Sequence, residues 1–568
     1  MPEGLAGLAH LPGGTSALAL VMTAARWSAH EWFRTPIHRW IIACGRPEGP
    51  IAAPRDLRPA DSVAGHRLLA GRFELAGAVL DTQGRGDPWD QPSPSVRFAT
   101  ALHRMNWLAD LMSLGPPAHA EALRLILDWS RVFGRWNSFS WAPDVLEHRV
   151  FNLACSVGVI AGEASDAERL QLGYDLARQA RHLIICSVGP WRASERLATV
   201  ALAGTALAGE TGERLIDQSL VRLDAALAQS VHADGGHTSR GPSDALDLLL
   251  LLKTLDQALG KRGIAGPASL VSAMDRLAGV LQFFVRQDGG LPLFQGGQAK
   301  KGTVAFACSI HVEPRSGATH RNGYHRLDGS NLQVMIDAAP PAPGLWSQTA
   351  CAQPAALEVD SHGQRLIVGC GWSADALGPQ AFRMSDSAST LSIGDKGCGQ
   401  PLRGWRARAL GPRLVGTLEA VEVRRHEADG GIWLELSHDA WGRHHRLRHE
   451  RRLFLDLASD QLRGEDRLIP IGDAAAAADR RFIPFVIRFH VHPKVSVSLT
   501  RDGKSALLKP DATEAGWRIR SDAQAISLEP SAYFQDGVAK RTQQIVLRGH
   551  ARADAGAKVR WALARAET

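Results

Sequence analysis

Side chains capable of chemistry gather at a few places in this chain. The stretch His232-Ala-Asp-Gly-Gly-His-Thr-Ser-Arg-Gly-Pro-Ser243 interrupts two strongly helical segments. A helix–helix turn needs one Gly or Pro, and this loop adds His237, Ser239 and Arg240, groups that bind anions or move protons. Ser243 is expected to cap the Leu-rich helix that follows. Arg149 and Asn152 stand three apart, so a helix presents both on one face, although a satisfied buried amide accounts for Asn152 equally well. Tyr324 is one of three tyrosines, and the charges of Arg321 and Arg326 beside it favour a phenolate and hence a general base. An edge-strand Tyr/Arg cluster is the plain alternative.

Other polar groups read as structural. His490 and His492 share one strand face as two metal ligands would, but no third ligand stands in register. No metal or other cofactor is therefore expected. His444, His445 and His449 lie in a stretch that alternates like a strand and read as a solvated face. The acidic pairs Glu465/Asp466 and Asp244/Asp247 suit glycoside hydrolysis only if two carboxyls face each other. No GxSxG elbow, phosphate-binding loop, dinucleotide fingerprint or HExxH motif occurs.

The elements that must position these residues come in two kinds. Between about residues 95 and 290 apolar residues recur at helical spacing, as in Ala101–Met112, Ala122–Val132 and Leu246–Leu259. Many stripes are apolar on more than one side, as helices packed in two layers must be. After about residue 303 the period becomes two, in Leu332–Ile336, Arg365–Val368, Gly431–Leu436 and Phe485–His492 among others, with Gly, Asp, Asn and Pro turns between them. Helices first and strands second imply an N-terminal helical barrel followed by an antiparallel β domain. The expected divisions are an N-terminal extension with a helix (1–60), a helical domain (61–302) and a β domain (303–568).

Composition agrees. The chain has 568 residues, 45% hydrophobic and 22% charged, which is globular and too long for one core. Its formal charge of +7 comes mostly from arginine, a two-pronged partner for carboxylate or sulfate, but spread over this length it is a weak field. The seven cysteines are scattered without a CxxC, so neither a disulfide framework nor a Cys-rich zinc site is expected. The apolar patch Ala17–Met22 has no basic residue before it and makes a poor secretory signal, and no run reaches the length of a membrane span.

These segments together resemble the heparinase II/III-like polysaccharide lyases in their alphaproteobacterial form, from about residue 60 onward. The carriers include Arg67-Leu-Leu-Ala-Gly-Arg-Phe73, Asp87-Pro-Trp89, Asp234-Gly-Gly-His-Thr-Ser-Arg240, Gly323-Tyr-His-Arg-Leu327, Gly464-Glu-Asp-Arg-Leu468 and Arg488-Phe-His-Val-His-Pro493. The resemblance implies an (α/α) toroid followed by an antiparallel β-sandwich. It also implies β-elimination on an acidic, uronic-acid-containing polysaccharide such as a glycosaminoglycan, where enolate-like charge is stabilised as it develops. Carried over by position, Asn152 or His237 neutralises the uronate carboxylate, Tyr324 is base and acid, and Arg240 clamps substrate, with Arg149, Arg326 and Ser239 as further binding residues.

The departures are as specific as the matches. Where the resemblance leads one to expect a histidine early in the β domain, the chain has Cys351, and where a second precedes the Ser-Thr-Leu strand it has Ser387-Ala388-Ser389. A tyrosine expected after the Asp-Gly-Gly loop is replaced by Asp244-Ala245-Leu246. Two readings follow: a lyase, or a catalytically impaired glycan-binding or envelope-assembly protein on the same fold. A toroid glycoside hydrolase is a third. The partner expected is an acidic polysaccharide, not nucleic acid, with no integral membrane segment. The family's substrates suggest the cell envelope or periplasm, and the N-terminus suggests cytoplasm.

Overall fold

The computed structural model describes residues 14–45, 47–51, 54–84, 86–187, 189–297, 299–310, 317–373, 378–394, 398–472, 480–512, 516–535 and 538–566. The chain forms two compact units, one of Met1–His232 with Asp247–Leu277, the other of Ala233–Leu246 with Ala278–Thr568.

The first unit is helical. Its elements are α1 (Gly14–Arg34), α2 (Pro36–Ala43), α3 (Ser62–Leu69), the hairpin β1 (Arg72–Leu75) and β2 (Ala78–Asp81), α4 (Val96–Arg104), α5 (Leu108–Met112), α6 (Pro116–Phe133), α7 (Pro143–Ile160), α8 (Asp166–Cys186), α9 (Ala193–Thr205) and α10 (Gly209–Ser230). Local chemistry sets their ends. Proline opens α6 and α7, where its missing N–H costs nothing, and Ser165 with Glu168 forms a reciprocal cap at the start of α8. The single stripe expected over Ala101–Met112 is two helices, because Met105 turns left-handed at φ 56° and ends α4. In α9 every residue from Ser194 to Thr205 is buried, so this helix is enclosed on all sides and its charged Arg196 pairs with Glu147 at 3.3 Å. Two more helices, α11 (Pro242–Lys261) and α12 (Ala268–Phe284), contribute residues to both units. Since α11 begins at Pro242, Ser243 lies inside its first turn and is not the cap expected from sequence.

The second unit continues through α13 (Lys301–Ile310) into strands β3 (His320–Arg321), β4 (Tyr324–Asp328), β5 (Leu332–Asp337), β6 (Leu357–Ser361), β7 (Gln364–Val368), β8 (Leu391–Ile393), β9 (Gln400–Pro401), β10 (Leu414–Val415), β11 (Glu422–Ala428), β12 (Gly431–His438), β13 (Leu447–Asp456), β14 (Gln461–Pro470), β15 (Phe482–Val491), β16 (Val495–Leu499), β17 (Ser505–Pro510), β18 (Trp517–Ser521), β19 (Ala525–Gln535), β20 (Val538–Arg552) and β21 (Ala557–Arg565). Two short helices, α14 (Gly404–Leu410) and α15 (Gly442–His445), sit between strands. One antiparallel sheet runs β11-β12-β13-β14-β21-β18-β17-β16, the other β19-β20-β15-β7-β6-β5-β4-β3 with β8 on β15. Strict alternation of buried and half-buried residues along β13 is the mark of a strand with one face on a core. The sheets stack: Phe489 of β15 meets Trp561 of β21 with ring centroids 4.9 Å apart, and Arg451 of β13 donates to the carbonyl of Ala355 at 2.7 Å.

Candidate functional site

The loop before α11 and the β3–β4 hairpin meet inside the second unit. Asn322 and Gly323 form the hairpin turn with φ of 52° and 74°, the left-handed pair that a two-residue Asn-Gly turn requires. Asn322 presses on the loop so closely that a Cβ on Gly236 would lie 2.2 Å from its side-chain carbon. Its backbone N–H donates to Asp234 Oδ2 at 2.6 Å and its side-chain amide to the His237 carbonyl at 3.2 Å. Within the loop, Ser239 Oγ lies 2.7 Å from His237 Nδ1 and donates to Asp244 Oδ2 at 2.5 Å. The His237 ring packs edge-on against Trp346.

Arg240, itself at φ 63°, is the hub. Its guanidinium donates to the carbonyls of Asn322, Gly323, Ala339 and Pro340 and pairs with Asp337 at 2.5 Å. It also lies over the Tyr324 ring, 4.6 Å from the centroid. Asp337 further accepts from Gln295 and Gln353 side chains at 3.1 and 3.2 Å, and Gln295 accepts the Cys351 N–H at 2.7 Å. The Tyr324 hydroxyl donates to the Arg240 carbonyl at 2.9 Å, between the rings of Phe284 and Phe294.

The structure thus brings His237, Ser239, Arg240 and Tyr324 together, all buried. It does not give Tyr324 the phenolate that flanking arginines suggest. Burial pushes the phenol well above its usual range and outweighs the Arg240 charge. Arg321 reaches away to the Asp234 carbonyl, and Arg326 is spent on Asp328 and the Phe283 carbonyl, outside the cluster.

Arg149 and Asn152 lie on α7 in the first unit. Asn152 accepts from Arg58 at 2.7 Å and donates to the Arg104 carbonyl and Asn106, both at 3.0 Å. Arg149 donates to Gln179 at 2.6 Å and the His103 carbonyl at 3.0 Å, with its guanidinium over Trp129. Every hydrogen-bonding element of the Asn152 amide is engaged by protein.

The positions where histidines are expected from the resemblance converge. Cys351, Ser387, Ala388 and Ser389 line one cavity with Phe294 and Gln353, and its volume of about 10 Å³ is roughly the room of one water. Burial pushes the Cys351 thiol up to about 12, so it stays protonated.

The remaining histidines take other places. His490 has Ser531 Oγ 2.7 Å from Nδ1 and the Asp386 carbonyl 3.0 Å from Nε2, while His492 stacks edge-on against Tyr533. Among the described residues no group of three or more His, Cys, Asp or Glu is arranged to hold a metal ion. His449 is fully buried and not on a solvated face: it bridges His438 at 3.1 Å and Asp466 at 2.7 Å, beside Arg451. Asp466 points inward, while Glu465 pairs on the other face with Arg560 and Arg467, so these carboxyls do not face each other. Asp337, Gln295, Gln353 and Asn322 are the network members that sequence reasoning missed. Only Asn322 carried a signal, its Asn-Gly turn.

Residues 312–562 match the heparinase II/III-like C-terminal family. The fold is that of a heparinase III crystal structure, with a TM-score of 0.70 at 13% identity over 97% of this chain and 89% of that one. A heparan sulfate lyase variant from Pedobacter heparinus is similar at TM-score 0.58 and 14% identity, covering 97% and 90% of the two chains. The chain belongs to the heparinase II/III-like family, with its helical toroid and antiparallel β-sandwich. Within it, this chain is similar to the FtsZ-localized protein C of Caulobacter vibrioides, 47% identical across 99% of this chain and 98% of the relative.

Proposed function

We propose that this chain is a non-cleaving member of the heparinase II/III-like family that works at the cell-division site as an envelope-assembly protein. The observation that carries this is the cavity at Cys351 and Ser387–Ser389, which offers no imidazole and space for about one water. β-Elimination needs a base beside the uronate carbon and donors at the developing charge. Here a protonated thiol, a buried neutral phenol and an arginine committed to Asp337 stand instead. The FtsZ localisation in the relative's name, at 47% identity over the whole length, supports the division-site assignment.

The test has two arms. Incubated with heparin, heparan sulfate or polygalacturonate, the purified chain is expected to give no unsaturated-uronate absorbance. With FtsZ polymers from its own organism it is expected to co-sediment. Absorbance growing with time, abolished by Tyr324→Phe, would sink the proposal.

That outcome would favour the second reading, a lyase with Tyr324 as base and acid, His237 or Asn152 as carboxylate neutraliser and Arg240 as clamp. Its support is the gathering of His237, Ser239, Arg240 and Tyr324 in one network. Its cost is that Arg240 and Tyr324 would have to give up the bonds that hold them.

A further inference from the structure

Outside that network, the second unit carries a groove of about 670 Å³ beside the β9–β10 ribbon. Pro401 pairs with Leu414 and Gln400 with Val415, and the chain between them forms α14. Ala409 and Leu410 anchor that helix inward, while Arg403, Trp405 and Arg406 stay exposed along the groove. Trp405 keeps 43% of its surface accessible, and Val415 39%, on a floor formed with Leu402. An indole of this size left open costs apolar burial, and its Arg406 neighbour sits 5.9 Å from the ring centroid.

Among the described residues the groove lining contains no Asp or Glu, and neither Arg403 nor Arg406 has an ion-pair partner. The neighbouring groove at Gly416–Glu422 and Ser437–Arg443 shows the contrast: there Arg448 is paired with Asp439 at 2.6 Å and Glu422 at 3.6 Å. Unpaired guanidinium forks bind carboxylate or sulfate two-pronged. A flat indole face suits the C–H face of a pyranose ring. The volume lies in the range that holds a small-molecule-sized ligand, here a sugar unit or two, and an open groove lets a polymer continue on either side.

We propose that the Trp405 groove binds acidic saccharide, with Trp405 stacking on a sugar ring and Arg403 and Arg406 gripping its carboxylate or sulfate. Such binding requires no cleavage and does not use the Cys351 cavity. It therefore stands or falls apart from the assembly role.

The test uses the full chain and calorimetric titration with heparin oligosaccharides and oligogalacturonate, with neutral dextran as control. Trp405→Ala is expected to weaken both acidic ligands about tenfold, and Arg403→Gln with Arg406→Gln to remove the salt dependence of binding and most of the affinity. All three side chains are exposed, so the thermal midpoint should hold in each variant. The proposal is overturned if the wild-type chain binds neither acidic ligand, or if the variants bind them unchanged. It is equally overturned if poly-glutamate competes as well as the oligosaccharides, or if the variants lose only binding to phosphatidylglycerol vesicles. Unsaturated-uronate absorbance read in the same samples reports on cleavage separately.

Discussion

Arg149 in the helical unit and Arg240 in the β unit are both buried guanidiniums, and they are accommodated in different ways. Arg240 has a carboxylate, Asp337, as well as a crown of carbonyls and the Tyr324 ring. Arg149 has the Gln179 amide, one carbonyl and the Trp129 face, but no carboxylate among its bonds. Its Nη2 has no hydrogen-bond partner among the described residues. Burial consequently lowers the Arg149 pKa to about 9, whereas Arg240 is raised, its desolvation offset chiefly by Asp337. The β-unit cluster is thus an electrostatically closed unit, and the helical one a dipole-solvated charge. A residue type alone does not tell the two apart.

The largest effect is expected from opening the closed unit. Asp337→Ala leaves Arg240 buried without its counter-charge and is expected to cost roughly 3–5 kcal/mol, read from the urea midpoint of unfolding. Asp337→Asn, which keeps one acceptor oxygen for the Gln295 and Gln353 amides but not the charge, should cost less. Equal losses for both would mean that the charge of Asp337 is not what holds Arg240.

Acid should discriminate the other way and act on the helical unit through His103. That ring takes the Trp129 N–H on Nδ1 at 2.9 Å and is pushed down to about 3 by burial and by Arg149. The unfolded chain therefore binds more protons between pH 6.5 and 3, so stability is full above 6.5 and falls as pH drops. The slope for one histidine is about 1.4 kcal/mol per pH unit. His103→Gln is expected to reduce the slope between pH 6.5 and 5 by one proton's worth. An unchanged slope would remove His103 from the acid response, leaving other lowered histidines of the helical unit, His148 and His182 among them.

Much of the fold was legible because periodicity reports which faces are buried, and both units bury theirs: α9 on all sides, β13 on alternate residues. The break at Met105 was not, since a methionine in the left-handed region carries no local sequence signal. Of the candidate site, the loop residues and Tyr324 were visible as polar groups out of place. Their engagement was not, because Asp337, Gln295 and Gln353 come from 97, 55 and 113 positions beyond Arg240 and read as ordinary strand and loop polarity. The same blindness made Tyr324 look like a base: neighbours in sequence suggested a positive field, while in the fold desolvation dominates.

The smallest expected effect lies at Tyr324, where a structural hydroxyl and an ionising one give different signatures. Removing the hydroxyl with Tyr324→Phe keeps the ring under Arg240 and between Phe284 and Phe294, and leaves the Arg240–Asp337 pair in place. What is lost is one hydrogen bond to the Arg240 carbonyl, a cost of about 1 kcal/mol, smaller than that of Asp337→Ala. Because the phenol is neutral throughout the accessible range, the loss should be the same at pH 6 and pH 9. A cost that grew with pH would mean that the hydroxyl ionises in the folded chain. The phenolate chemistry of a lyase would then have a place in this network after all.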